Sequence, residues 1–177
     1  MESAAPSTKC PAFIVMGVTG CGKTAVGSAL AKALKATFIE GDSLHPAANV
    51  AKMASGTPLT DDDRAGWLDT IGRSVAEEIA AGRRVVATCS SLKRIYRDRL
   101  RSFAPDIVFV HLVLSRDESW RRVSNRPGHF MPASLVDSQF ATLEPPTVDE
   151  AHISLDATRP IKQLVREVTA RYAPATA

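Results

Sequence analysis

The chain has 177 residues, 45% of them hydrophobic, which suits one globular domain with a continuous core. No run approaches the roughly 18 consecutive apolar residues of a membrane span, and Met1–Pro11 lacks the basic and apolar regions of a secretion signal, so a soluble, cytoplasmic protein with no membrane partner is expected. Basic and acidic residues, 22 against 19, are mixed along most of the chain and leave a net charge of +3, which gives no reason to expect nucleic acid; Cys10, Cys21 and Cys89 lack metal-ligand spacing and read as reduced thiols.

Residues 1–11 are polar and expected to be disordered, and one domain is expected over 12–177. Ala12–Met16 reads as an apolar strand. A Gly-rich turn follows, then a helix with Val26, Ala29, Leu30, Ala33 and Leu34 on one face. Thr37–Glu40 is a second strand. Pro46 suits the first turn of a helix ending near Ser55, and Thr60–Asp63 caps the next one, with Leu68, Ile71, Val75 and Ile79 on its buried face and Gly82 at its end. Val85–Cys89 and Ile107–Leu114 are near-continuous β-branched runs, the mark of strands buried on both faces. Helices are expected over Leu92–Phe103, where Leu92, Tyr96, Leu100 and Phe103 form a core stripe, and over Asp117–Asn125. The breaker-rich segment Arg126–Pro132 looks like part of a lid at about 122–133, before a helix over Ser134–Leu143. A strand at His152–Leu155 and a helix over Pro160–Tyr172 close the chain. This alternation of strands and amphipathic helices predicts an α/β fold with a parallel sheet.

Gly17-Val18-Thr19-Gly20-Cys21-Gly22-Lys23-Thr24 satisfies G-x-x-x-x-G-K-[ST] between a strand and a helix. Glycines allow the backbone N–H groups to converge on phosphate oxygens, and the helix N-terminus adds its positive end. The motif assigns ATP to this loop, with Lys23 on the β- and γ-phosphates and the Thr24 hydroxyl on Mg²⁺. No Asn-Lys-x-Asp segment supports a GTPase, and the Val85–Cys89 strand runs into Ser90 and Ser91 where a motor ATPase would carry an acid. That leaves a small-molecule kinase. Asp42, in Glu40-Gly41-Asp42-Ser43-Leu44-His45-Pro46 at the C-terminal end of the second strand, is the leading base for an acceptor hydroxyl; a helix cap or a Mg²⁺-water ligand are its other readings.

The phosphate loop, Glu40–Pro46, Asn49-Val50-Ala51-Lys52-Met53, Gly56–Arg64 with Trp67-Leu68, Ser91–Arg94, Tyr96-Arg97-Asp98, Gly128–Met131, and Ser138-Gln139-Phe140 with Leu143-Glu144-Pro145 together resemble the gluconokinase family of small P-loop kinases, in family order over about residues 12–156. The resemblance implies a single-domain P-loop kinase related to shikimate and nucleoside-monophosphate kinases, with a five-stranded parallel sheet flanked by helices, a lid and a homodimer. It implies transfer of the ATP γ-phosphoryl group to the 6-hydroxyl of D-gluconate. A sugar acid needs a fixed cation for its carboxylate, for which Arg64 and Arg97 stand first and Arg94 next, and polar groups for its hydroxyls, for which His45, Lys93, Gln139 and the lid residue His129 are candidates. Arg122 and Arg126, four residues apart, are expected on one helical face as lid cations for the transferring phosphate, and Arg159 with Pro160 resembles an adenine-packing loop. Cys21 stands where the family commonly has Ser, and Ser91 where it commonly has Ala; a thiol beside the phosphates suggests sensitivity to oxidation. A kinase for another small acid or alcohol such as shikimate, and a silent nucleotide-binding regulatory module, are the alternatives.

Overall fold

A computed structural model describes residues 11–127, 132 and 134–172. His129 with the rest of Gly128–Met131, residue 133 of the expected lid, and residues 1–10 of the segment expected to be disordered lie outside the described residues. The centre of the molecule is a parallel sheet in the order β2-β3-β1-β4-β5, made of Phe13–Met16 (β1), Thr37–Ile39 (β2), Val85–Thr88 (β3), Val108–Val113 (β4) and His152–Asp156 (β5). Phe13 is level with Val86 on one side and Val108 on the other. The connections are helical: Lys23–Leu34 (α1), Ala47–Ala54 (α2), Asp61–Ala80 (α3), Arg94–Phe103 (α4), Arg116–Ser124 (α5), Ser134–Thr142 (α6) and Ile161–Tyr172 (α7).

Alternate strand residues point to opposite faces, so each face has its own core. Phe13, Val15, Val110 and Leu112 pack with Leu30 of α1 and Leu164 and Val168 of α7. Ile14, Met16 and Phe109 pack with Trp67, Leu68 and Ile71 of α3 and Leu100 of α4. Phe109 is fully buried, and its truncation to Ala would cost about 3–5 kcal/mol.

Local signals set the helix ends. Thr60 and Asp63 form a reciprocal capping box at the start of α3, and the Ser115 hydroxyl accepts the Glu118 N–H at the start of α5. Two expectations shift. Ile79, one residue before the end of α3 at Ala80, is 40% exposed and not on the buried face. The helix expected from Leu92 begins at Arg94, because Ser91 adopts a left-handed φ of 49° and Leu92 drops into the core at 1% exposure. No helix among the described residues is long and apolar enough to cross a membrane.

The sheet topology brings three connections to one edge. The loops after β1, β2 and β3 all leave C-terminal strand ends beside the point where the strand order reverses, the place where open α/β sheets hold ligands. Gly41 is required there: a Cβ on it would sit 1.9 Å from the Thr88 carbonyl oxygen, and its N–H donates to Thr88 Oγ1 at 3.0 Å. Any larger residue would push the start of the Gly41–Leu44 3-10 turn, and Asp42 with it, off the end of β3.

Candidate active site

A cavity of about 340 Å³ opens at these strand ends, with the phosphate loop on one wall and the 3-10 turn, α2 and α3 on the other. On the loop side Gly22 is the N-cap of α1 with φ 93°, and no side chain caps the helix. The first N–H groups of α1 are therefore left to an anion. The Lys23 ammonium donates to the carbonyls of Gly17 at 3.0 Å and Val18 at 3.2 Å, which folds it across the loop. The Thr19 N–H donates to Gln139 Oε1 at 2.7 Å, and the Ser119 hydroxyl donates to the Thr19 carbonyl, so α5 and α6 both grip this loop.

Thr24 Oγ1 donates to one oxygen of Glu40 at 2.6 Å, and Thr88 Oγ1 donates to the other. Glu40, named in the sequence only as part of a block, is thus a carboxylate hydrogen-bonded directly to the end of the phosphate loop. Its signal was its position, directly after β2 and two residues before Asp42. A hydroxyl and a carboxylate are hard oxygen donors of the kind Mg²⁺ takes, so Thr24 and Glu40 fit that ion.

On the opposite wall Asp42 and His45 line the cavity with Arg64, Trp67 and the apolar side chains Val50, Met53 and Leu59. His45 stacks on Trp67 with ring centroids 3.9 Å apart and planes at 16°, and Trp67 Nε1 donates to the Gly41 carbonyl at 2.7 Å. Burial lowers the His45 pKa and the Arg64 charge adds to that, while Asp42 opposes it. Arg64 donates through one terminal nitrogen to Tyr96 Oη at 2.8 Å. The Tyr96 hydroxyl in turn donates to Asp61, whose carboxylate also accepts from Lys93 at 3.0 Å. Hydrogen bonds from Tyr96 and then Lys93 hold the Asp61 carboxyl below the usual carboxylate range. Tyr96, expected only as core, thus supports Arg64 from behind; a four-residue apolar stripe in the sequence does not show where a phenol oxygen ends.

The cavity brings together Lys23, Thr24, Asp42, His45, Arg64, Arg126 and Gln139. Other expected site residues stand elsewhere. Arg97 is 1% exposed, with its guanidinium on both Glu150 oxygens, at 2.8 and 3.1 Å, and on the Ser91 carbonyl at 2.9 Å. It is a buried structural cation, and its expected place at a substrate carboxylate is corrected. Arg94 pairs with Asp149 at 2.7 Å, outside the cavity lining, and Lys93 reaches only the layer behind Arg64. Arg122 is held between the Gly20 carbonyl at 3.2 Å, the Ala157 carbonyl at 3.3 Å and Glu118 at 2.9 Å. It braces the phosphate loop against the segment after β5 and leaves the cavity to Arg126. Arg159 pairs with Glu167 at 2.7 Å. Cys21 is 2% exposed, with its sulfur turned toward Gly17 rather than outward, which removes the access that oxidation would need. The arginines concentrated at 94–101 and 116–122 are engaged by carboxylates of the same chain, among them Asp69, Asp98, Asp137 and Glu118.

Known proteins are similar to this one over most of its length. A family model described as AAA domain matches residues 13–146. A gluconokinase of Gluconobacter oxydans (strain 621H) is 50% identical over 147 residues, covering 83% of this chain and 83% of that protein. A thermosensitive gluconokinase of Escherichia coli (strain K12) is 45% identical over 141 residues, covering 80% and 75%. The crystal structure of a gluconokinase from Sinorhizobium meliloti 1021 superimposes with a TM-score of 0.83 at 45% identity, over 93% of this chain and 92% of that one. With the phosphate loop, the Glu40–His45 turn and the sheet order all in place, the chain belongs to the gluconokinase family of P-loop kinases.

Proposed function

We propose that this protein transfers the γ-phosphoryl group of ATP to the 6-hydroxyl of D-gluconate. The observation that carries the reading is the shared cavity: Lys23 and Thr24 form one wall, and Asp42, His45 and Arg64 face them within about 340 Å³. Lys23 and the first N–H groups of α1 bind the β- and γ-phosphates. Thr24 and Glu40 would hold Mg²⁺, which when bound neutralises phosphate charge; the 2.6 Å link between them supports this pair over the Thr24–Asp42 pair expected from the sequence. Asp42 is thereby left to the acceptor.

In the transfer, Asp42 orients the 6-hydroxyl and accepts its proton as the oxygen bonds to the γ-phosphorus. The bond from that phosphorus to the β–γ bridging oxygen breaks, and ADP leaves with the electron pair. Arg126 offsets charge on the transferring group. Arg64, held by Tyr96, meets the gluconate carboxylate, and the apolar side chains Val50, Met53 and Leu59 exclude water from the acceptor's carbon face.

The test is ADP release by purified protein with Mg²⁺-ATP and D-gluconate beside shikimate, glycerate, glucose and nucleoside monophosphates. Turnover with gluconate that falls about 10²–10⁴-fold in Asp42→Asn supports both acceptor and base. Turnover with another acceptor alone would overturn the substrate assignment.

A further inference from the structure

His45 and Asn49 are four residues apart across the start of α2, and Asn49 is 5% exposed. The Asn49 side-chain nitrogen donates to the Asp63 carbonyl oxygen at 2.9 Å. A carbonyl can only accept, so this bond fixes which end of the amide is nitrogen. The same nitrogen lies 3.4 Å from Nδ1 of His45. An amide nitrogen offers only hydrogens, so Nδ1 must be the acceptor and a neutral ring carries its hydrogen on Nε2. Trp67, tied to the Gly41 carbonyl, stacks against the ring and fixes its plane, so the contact with Asn49 is made edge-on.

We propose that Asn49 is a positioning residue for phosphoryl transfer: it holds His45 with its hydrogen on Nε2 and so makes His45 a hydrogen-bond donor to a hydroxyl of the polyhydroxy acid beside Asp42. The identity of that acceptor rests on the gluconate reading; the placement of the hydrogen does not. The arrangement assigns opposite roles to neighbours on one turn. Asp42 accepts the proton of the reacting hydroxyl, and His45 donates to an oxygen that does not react. With the other tautomer, Nε2 would become a second acceptor beside Asp42 and would compete for the same hydroxyl hydrogen. The charges facing the ring are Asp42 on the 3-10 turn and Arg64 on α3, with the Lys52–Asp63 pair at 2.5 Å behind Asn49. Burial together with Arg64 outweighs Asp42 and favours the neutral ring that a single-tautomer donor requires.

Long-range ¹H–¹⁵N correlation spectra of the full ¹⁵N-labelled chain, with His45→Gln used to assign the signal, read the tautomer directly. A pyrrole-type Nε2 and a pyridine-type Nδ1 at alkaline pH are expected, and a hydrogen on Nδ1 overturns the proposal. Asn49→Asp puts an acceptor where the donor stood. It is expected to move the hydrogen to Nδ1 and to raise KM for gluconate about tenfold while KM for ATP stays within about twofold. A variant that folds, keeps its hydrogen on Nε2 and keeps the parental KM for gluconate sinks the idea. If the variant does not fold, the parental spectrum still decides. That spectrum is recorded without substrate, so an Nε2–H ring in a protein that ignores gluconate would remove the acceptor assignment and leave the positioning role standing.

Discussion

Thr24 and Glu40 meet hydroxyl to carboxylate at 2.6 Å, joining the first turn of α1 to the residue that follows β2. Because Thr88 at the end of β3 holds the other carboxylate oxygen, two strand ends and the first turn of α1 together fix the position of one negative charge. Glu40→Gln keeps the shape and removes that charge. The Mg²⁺ concentration for half-maximal activity is expected to rise about 10–100-fold, measured as rate against free Mg²⁺ at saturating ATP; an unchanged curve would assign the ion to other ligands.

Arg64 and Arg97 offer a contrast between two arginines that sequence alone ranked together. Arg64 lines the cavity, so Arg64→Met should raise KM for gluconate about 10–100-fold, the loss of one charge-assisted bond, with thermal stability near that of the parent. Arg97→Met should leave a buried Glu150 without its partner and act on stability first. Steady-state kinetics beside a melting curve separates the two; equal effects of both on KM would return Arg97 to the site.

Glu150→Gln tests the same pair from the acidic side. Both side chains are 1% exposed, and Glu150 also accepts the Thr147 N–H and a bond from Arg101. Removing one partner strands a buried guanidinium, at a cost of about 3–5 kcal/mol, read as a lower urea midpoint. A midpoint shift corresponding to less than about 1 kcal/mol would mean that solvent reaches the pair.

Acid should unfold the protein in two overlapping windows. Burial pushes the Glu150 carboxyl up, but Arg97, the Thr147 N–H and Arg101 together outweigh it and hold it at about 2, against an ordinary 4.5. A depressed carboxyl stabilises the fold above its unfolded pKa, and that contribution is lost as pH falls from about 4.5 toward 2. His111 is held at about 4 by burial, with Arg97 and His152 adding to it, against an ordinary 6.5. The unfolded chain takes up that proton first, so stability also declines as pH falls from about 6.5 to 4. His111→Gln should flatten the upper window only, measured as urea midpoints across the pH range; an unchanged upper slope would place the proton uptake elsewhere.

The sheet and the phosphate loop were legible because they depend on local pattern. β-branched runs bounded by breakers gave β3 and β4, and a contiguous motif gave Gly17–Thr24. The acceptor wall was legible only in part. Asp42 and His45 could be placed because they follow a strand directly, whereas Arg64 and Arg97 are both arginines near helix starts, and only the fold shows that Glu150, 53 residues after Arg97, closes over the second. Glu40 was overlooked because its partners Thr24 and Thr88 are distant in sequence and become neighbours through strand order alone. Ile79, in the last turn of α3, is exposed for a related reason: helical periodicity says which face is apolar, and the fold decides how far that face is covered.

The stack of His45 on Trp67 gives the protein a native optical probe. The chain has two tryptophans, and they sit in opposite surroundings: Trp67 is 2% exposed beneath the acceptor cavity, and Trp120 is 43% exposed on α5. A charged quencher such as iodide will silence Trp120 and leave the emission of Trp67. What remains reports on an indole stacked against an imidazole 3.9 Å away, and a protonated imidazole quenches indole emission more strongly than a neutral one. Acceptor binding and His45 protonation can therefore be followed in unlabelled protein, by light, at the wall where the sugar acid is proposed to sit.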